Sequence, residues 1–280
     1  MATVELSLGP VEYDDRGSGP VILLIHGLLQ SNSVWRHVAD DLAADHRVVA
    51  PTLPFGAHRL PLRREADFGP RSAALLIGEL ADALELGPDT VFVENDAGRL
   101  QQLAAIRPER VGRMVIAGCE AFENYPPGSP GRTLVRAAKI PGGMLALALA
   151  LSPRPLRRIP GSGFAVMTNK TVPHELTDEW LAPLRGDRRV RADIAKYLRS
   201  AREDDMLEAA AKLTEYPGRA LVVWGRQDRL MPPAHGRRLA ELIPGARLVE
   251  IDDCGTLIPL DQPEALTEAV REFVEASESA

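Results

Sequence analysis

The chain has 280 residues, 45% hydrophobic and 26% charged, ordinary values for a globular protein with a substantial core, so disorder and fibrous repeats are excluded. Its formal charge of −6 gives no electrostatic footing for nucleic acid or an anionic membrane. No apolar run approaches the ~18–20 residues needed to span a bilayer.

In chain order, residues 4–8 and 11–13 read as an antiparallel hairpin at one sheet edge. Val21-Ile22-Leu23-Leu24-Ile25 is a continuous apolar pentad, the pattern of a strand covered on both faces. Val34, Val38 and Leu42 recur at helical spacing within 33–44, where Asn32 or Ser33 can cap the start. A short strand at 48–50 should stop at Pro51. A helix follows over 72–86 and ends at Gly87-Pro88. Next come a strand at 90–93, a helix at 98–106 and a strand at 114–117.

From about 125 to 215 the pattern changes. There is no clear strand, Pro and Gly crowd the stretch 126–163, and three or four helical segments appear. Residues 120–215 carry 15 basic and 12 acidic side chains, read chiefly as a solvated helix surface. Alternation resumes with strands at 220–224 and 248–251 and helices at 234–242 and 264–275. The sum predicts an α/β fold. A mostly parallel eight-stranded sheet wound with helices forms a core of residues 1–123 and 216–280, with a helical cap at 124–215 after the sixth strand.

In such sheets ligands bind beyond the carboxyl ends of the strands. There stand His26-Gly27-Leu28-Leu29, Glu94-Asn95-Asp96-Ala97-Gly98, Gly118-Cys119-Glu120, Gly225-Arg226-Gln227-Asp228 and Asp253-Cys254-Gly255-Thr256. These landmarks, in this order, resemble the α/β-hydrolase superfamily over nearly the whole chain. Asp96 at the centre of the strand–turn–helix is similar to the haloalkane dehalogenase and epoxide hydrolase branch, where lipases and esterases have Ser.

The resemblance implies Asp96 as a nucleophile that forms an ester, its charge favoured by the helix start. The other reading of Asp96 is a helix cap. Backbone N–H groups of Leu28 and Ala97 would form an oxyanion hole, with His26 supporting the turn. Asp228 stands at the triad acid position and Glu120 at the alternative acid position used by some dehalogenases. The position of the triad His is occupied by Thr256, which cannot act as a base near neutral pH. His58, in the loop after the fourth strand, is the candidate substitute, with His174 behind it and His235 read as a surface residue.

Arg99 is expected to pair with Asp96, to bind an anionic group, or to bridge to Glu94 on the surface. Tyr125 and Tyr197 lie in the insert as candidate acid groups. Trp180 is read as cap core or as a substrate platform. Ala97 and Leu28 replace the halide-binding Trp and Asn of dehalogenases, which favours an epoxide over a carbon–halogen bond.

The expected function is therefore hydrolysis of a small apolar substrate. The alternatives are a lyase, isomerase or cyclase using Asp96 as acid/base, or a silent binding protein. The two cysteines, Cys119 and Cys254, are too few for a disulfide framework. The N-terminus has no basic region followed by an apolar core. A cytoplasmic monomer or homodimer without metal or organic cofactor is expected.

Overall fold

The computed structural model describes residues 1–159 and 163–278. Its eight strands are β1 (Ala2–Leu6), β2 (Gly9–Arg16), β3 (Val21–Ile25), β4 (Arg47–Thr52), β5 (Val91–Asp96), β6 (Arg113–Cys119), β7 (Arg219–Gly225) and β8 (Arg247–Ile251). They lie in the order β1-β2-β4-β3-β5-β6-β7-β8. The pairs β1–β2 and β2–β4 are antiparallel, and all others are parallel. The chain leaves β3 toward β4 on one side and returns to β5 on the other. The carboxyl ends of β3 and β5 thus flank the switch point where a crevice opens.

Eleven helices accompany the strands among the described residues. They are α1 (Arg36–Leu42), α2 (Pro70–Ala83), α3 (Arg99–Ile106), α4 (Gly128–Lys139), α5 (Gly143–Ala150), α6 (His174–Gly186), α7 (Arg188–Ser200), α8 (Asp205–Leu213), α9 (Pro233–Leu242), α10 (Ile258–Asp261) and α11 (Pro263–Glu278). Helices α1, α10 and α11 pack together as one layer, and α2, α3, α8 and α9 form the other. The central strands β3, β5, β6 and β7 are buried on both faces, which is why they read as unbroken apolar runs.

Helices α4–α7 pack on one another between β6 and β7. Helix α8, which lies within the 124–215 stretch, packs on α3 of the core layer. Residues 160–162 of the expected cap lie outside the described residues.

Two local expectations change. Pro51 continues β4 and stands opposite Tyr13 of β2, since proline costs a strand one donor but has a φ that suits it. The first helix opens as a 3-10 turn over Asn32–Trp35 with Ser31 as its cap, because the Ser31 side chain accepts from the Ser33 N–H at 3.2 Å. No helix among the described residues is long and apolar enough to cross a membrane.

Candidate active site

Strand β5 ends on Asp96, whose backbone sits at φ +74°, a left-handed position that costs a residue with a side chain about 1–3 kcal/mol. The Ala97 N–H bonds back to the Asn95 carbonyl at 3.0 Å, closing a γ-turn over Asp96. Neighbouring bonds hold this turn. The Glu94 carboxylate accepts from the Arg99 and Leu100 N–H groups, both at 2.9 Å, and so caps α3. Asn95 Nδ2 donates to the carbonyls of Ala117 at 2.6 Å and Thr256 at 2.7 Å. A Cβ at Gly27 would overlap the Asp96 carboxyl, so the backbone after β3 approaches that group only because it is glycine.

Asp96 itself is not the helix cap; Glu94 is. Asp96 is 6% exposed, and its carboxyl accepts from Gln30 Nε2 at 2.9 Å and from the Leu28 N–H. Burial, then the nearby Glu120, Asp228 and Glu94 carboxyls, push its pKa well above the ordinary range. This corrects the expectation of a carboxylate stabilised by the helix start. The sequence shows the turn but not the three other acids that the fold gathers behind it. Gln30 escaped sequence reasoning because no motif singles it out.

Arg99 does not pair with Asp96, lie on the surface, or present itself to the solvent. It is fully buried, its Nη2 donating to Glu120 Oε2 at 2.8 Å and its Nη1 to Gln102 Oε1 at 2.9 Å. The guanidinium carbon lies 5.0 Å from the Tyr125 ring centroid and 5.8 Å from that of Tyr197. Burial outweighs Arg99 in raising the Glu120 pKa to about 7, and burial likewise raises Glu94 to about 7.

Asp228 and Thr256 do meet. Thr256 Oγ1 donates to Asp228 Oδ1 at 2.6 Å, and that oxygen also accepts from the N–H groups of Leu230 at 2.9 Å and Met231 at 2.8 Å. Oδ2 of Asp228 is buried with no partner, and burial raises this carboxyl to about 6. A clamp between Asp261 and the insert holds the Thr256 loop. Asp261, fully buried, accepts from the N–H groups of Gly255 at 2.8 Å, Asn169 at 2.9 Å and Lys170 at 3.1 Å, and from the Thr168 hydroxyl. Asp261→Ala would strand these donors. It is expected to cost about 2–4 kcal/mol in a denaturant melt and to speed amide exchange at residues 168–170 and 255–257.

The histidines stand elsewhere. His58 is turned toward Asp193 of α7, with Nε2 3.4 Å from Oδ2, and its Nδ1 accepts from the Gly56 N–H at 3.3 Å. It therefore braces the loop after β4 against the insert instead of facing Asp96. His26 accepts from the Leu53 N–H at 2.9 Å, and its Nδ1 lies 2.8 Å from the Gly27 carbonyl. Burial lowers its pKa to about 4, so it is a neutral brace of the turn and does not line the cavity. His174 begins α6, and His235 pairs with Glu123 at 3.4 Å near the surface. Trp180 is no substrate platform. It is fully buried, donates to Ser33 Oγ at 2.9 Å and meets Phe164 edge-on, fixing α6 to the core.

Asp96 opens into a cavity of about 290 Å³ between the sheet edge and helices α4, α5 and α7. Asp96, Glu120, Tyr125 and Tyr197 supply its titratable groups; Leu134, Leu147, Phe164, Met167, Leu198 and Leu230 are among its apolar walls. Among the described residues no three or more His, Cys, Asp or Glu side chains are grouped to hold a metal ion. The arrangement offers proton donors and acceptors to an apolar guest.

The family model described as "Alpha/beta hydrolase family" matches residues 22–269. The chain is 25% identical to a 2-hydroxy-6-oxo-6-phenylhexa-2,4-dienoate hydrolase of Burkholderia cepacia, over 94% of this chain and 91% of that protein. Among solved structures, an alpha/beta hydrolase fold protein from Burkholderia ambifaria superposes with a TM-score of 0.80 at 22% identity, covering 97% of each chain. An ancestral haloalkane dehalogenase superposes with a TM-score of 0.79 at 20% identity, covering 100% of each.

Proposed function

The chain belongs to the alpha/beta hydrolase family, and from that premise we propose that it is an enzyme in which Asp96 works as a neutral carboxylic acid, giving a proton to an oxygen of an apolar substrate. The observation that carries this reading is the buried Asp96 carboxyl, facing the cavity among three other acids with no imidazole bonded to it. A carboxyl kept neutral by its surroundings is a hydrogen-bond and proton donor.

The reaction class is a lyase or isomerase step. In a dehydration, Asp96 protonates the departing hydroxyl and the C–O bond breaks to release water. The Glu120 carboxylate takes the proton from the adjacent carbon, whose C–H electrons form the new double bond. Proton return from Glu120 to Asp96 resets the pair. Glu120, at about 7, has the affinity for that exchange near neutral pH.

The second reading is ester formation by ionised Asp96 on an epoxide, as the sequence resemblance implies. Tyr125 and Tyr197 on the cavity wall favour it, because ring opening needs acids for the epoxide oxygen. Its weakness lies in the second half-reaction: the Thr256 hydroxyl is donated to Asp228 and has no basicity to activate water. Carbon–halogen hydrolysis ranks below both, since Ala97 and Leu28 offer no side-chain donor to a halide. The dienoate in the relative's name is an anion, and no described residue on the cavity wall is a cation.

The test is a single turnover in ¹⁸O-water and, separately, in D₂O, on a panel of uncharged cyclic hydroxyketones and epoxides. A dehydrated product free of solvent deuterium, formed without ¹⁸O in Asp96, is expected. ¹⁸O in the Asp96 carboxyl would replace the proton-transfer reading with the ester route, and ligands bound but unchanged would make the chain a binding protein. Thr256→His separates the same alternatives. It is expected to leave proton-transfer turnover within about threefold, whereas an ester route stalled at hydrolysis would speed up by about 10²-fold or more.

A further inference from the structure

We infer that the cavity selects uncharged, oxygen-bearing apolar molecules over carboxylates, and that Glu120 sets this selection by neutralising Arg99. The inference rests on the reading that the cavity at Asp96 is the substrate site, and it names what that site admits.

Two observations carry it. The first is a charge inventory. Every ionisable group on the described cavity wall is an acid or a phenol: Asp96, Glu120, Tyr125 and Tyr197. The cation nearest to them, Arg99, is behind that wall, its two Nη atoms bound to Glu120 at 2.8 Å and Gln102 at 2.9 Å, two phenol rings against its face and its Nε buried without a partner. A carboxylate entering here would lose its water and meet two acids with no free cation, an arrangement that burial penalises strongly.

The second observation concerns oxygen. The Tyr197 hydroxyl is buried on the wall and makes no hydrogen bond of good geometry, although the Tyr125 hydroxyl is its neighbour. A buried donor left open is satisfied when a ligand brings an acceptor to it. A carbonyl, hydroxyl or enol oxygen does so without adding charge, while its carbon skeleton covers Leu134, Leu147 and Phe164. Glu120 is therefore a specificity-determining residue. With its carboxylate in place the Arg99 pair is neutral; without that charge, an unneutralised guanidinium would stand just behind the cavity wall and attract an anion through space.

The test is equilibrium binding of 2-naphthol, naphthalene and 2-naphthoate at about pH 7.5, where the naphthoate carboxyl is ionised. Ligand fluorescence reports binding to wild type, Glu120→Gln and Tyr197→Phe. Wild type is expected to bind naphthol about 3- to 10-fold more tightly than naphthalene and at least about tenfold more tightly than naphthoate. Glu120→Gln should bring naphthoate level with naphthol or beyond it, and Tyr197→Phe should bring naphthol down to naphthalene.

Wild type binding naphthoate as tightly as naphthol, or binding none of the three, overturns the inference. So does a folded Glu120→Gln with the wild-type preference. Should that variant fail to fold, the wild-type comparison still decides. Repeating the titrations with Asp96→Asn keeps them independent of turnover: absence of product counts against the proposed reaction alone, and absence of the charge preference counts against this inference alone.

Discussion

Asp96→Asn is expected to lower turnover by about 10²–10⁴-fold, the usual contribution of a positioned proton donor, and at the same time to make the protein more heat-resistant above neutral pH. Asn has nearly the same shape and keeps an acceptor oxygen for Gln30 Nε2 and the Leu28 N–H. It removes a carboxyl that the fold holds away from water beside three other acids. Over the pH range between the ordinary carboxyl value, near 4, and the raised value in the fold, the native chain holds a proton that the unfolded chain has released. Stability from such a group is complete below about pH 4 and is lost as the pH climbs through the folded value.

Glu94 and Glu120, both raised to about 7, and Asp228, raised to about 6, act in the same direction. The wild-type melting temperature should therefore fall between about pH 4 and 7 as these groups ionise. The Asn variant should lose part of that slope. A gain of about 2–4 °C at pH 8, with none at pH 4, is the expected calorimetric result, corresponding to about 1 kcal/mol in a chain of this size. Equal gains at both pH values would show that the carboxyl is not strained by ionisation. Loss of activity with a gain in stability is the signature of a residue kept for chemistry.

Arg99→Met should be the most destabilising single change near the site, by about 3–5 kcal/mol. Met matches the stem of the side chain but leaves Glu120 without its cation, Gln102 Oε1 without its donor, and Tyr125 and Tyr197 without the charge over their rings. The damage should be greater at pH 8 than at pH 5, because Glu120 near its pKa of about 7 escapes part of the cost by taking a proton. Adding Glu120→Met should recover a large part of the loss, since a buried pair replaced by apolar groups is far less costly than one half of it removed. Chemical denaturation of the two single variants and the double variant measures that coupling. A double variant as unstable as the sum of the singles would show that the pair does not act as a unit.

The comparison of sequence with structure turns on range. The hairpin, the apolar pentad of β3, the turn after β5 and the helical stretch between β6 and β7 are each written in a few consecutive residues, and each appears close to where it is read. The start of the first helix moved by a residue or two because the Ser31 side chain caps it, and the packing of α8 on α3 was not visible in the sequence at all. Asp228 and Thr256, which the resemblance puts at the triad acid and triad His positions, are hydrogen-bonded. His58, read from the edge on which its loop opens, instead faces Asp193 on a helix whose docking nothing local reveals.

The amino-acid order by itself determined the fold class, the residues that stand after each strand, and the presence of an aspartate at the tip of β5, because periodicity and turn residues act over a handful of positions. The tertiary structure alone decided the state of that aspartate. Its donor Gln30 and the acids Glu120 and Asp228 come from separate strand ends, and a carboxyl's proton affinity depends on water excluded and charges gathered through space. The same holds for Arg99, where a residue that reads as a surface cation is enclosed by Glu120, Gln102, Tyr125 and Tyr197. Burial and long-range electrostatics are sums over the whole packed chain, so no local pattern encodes them.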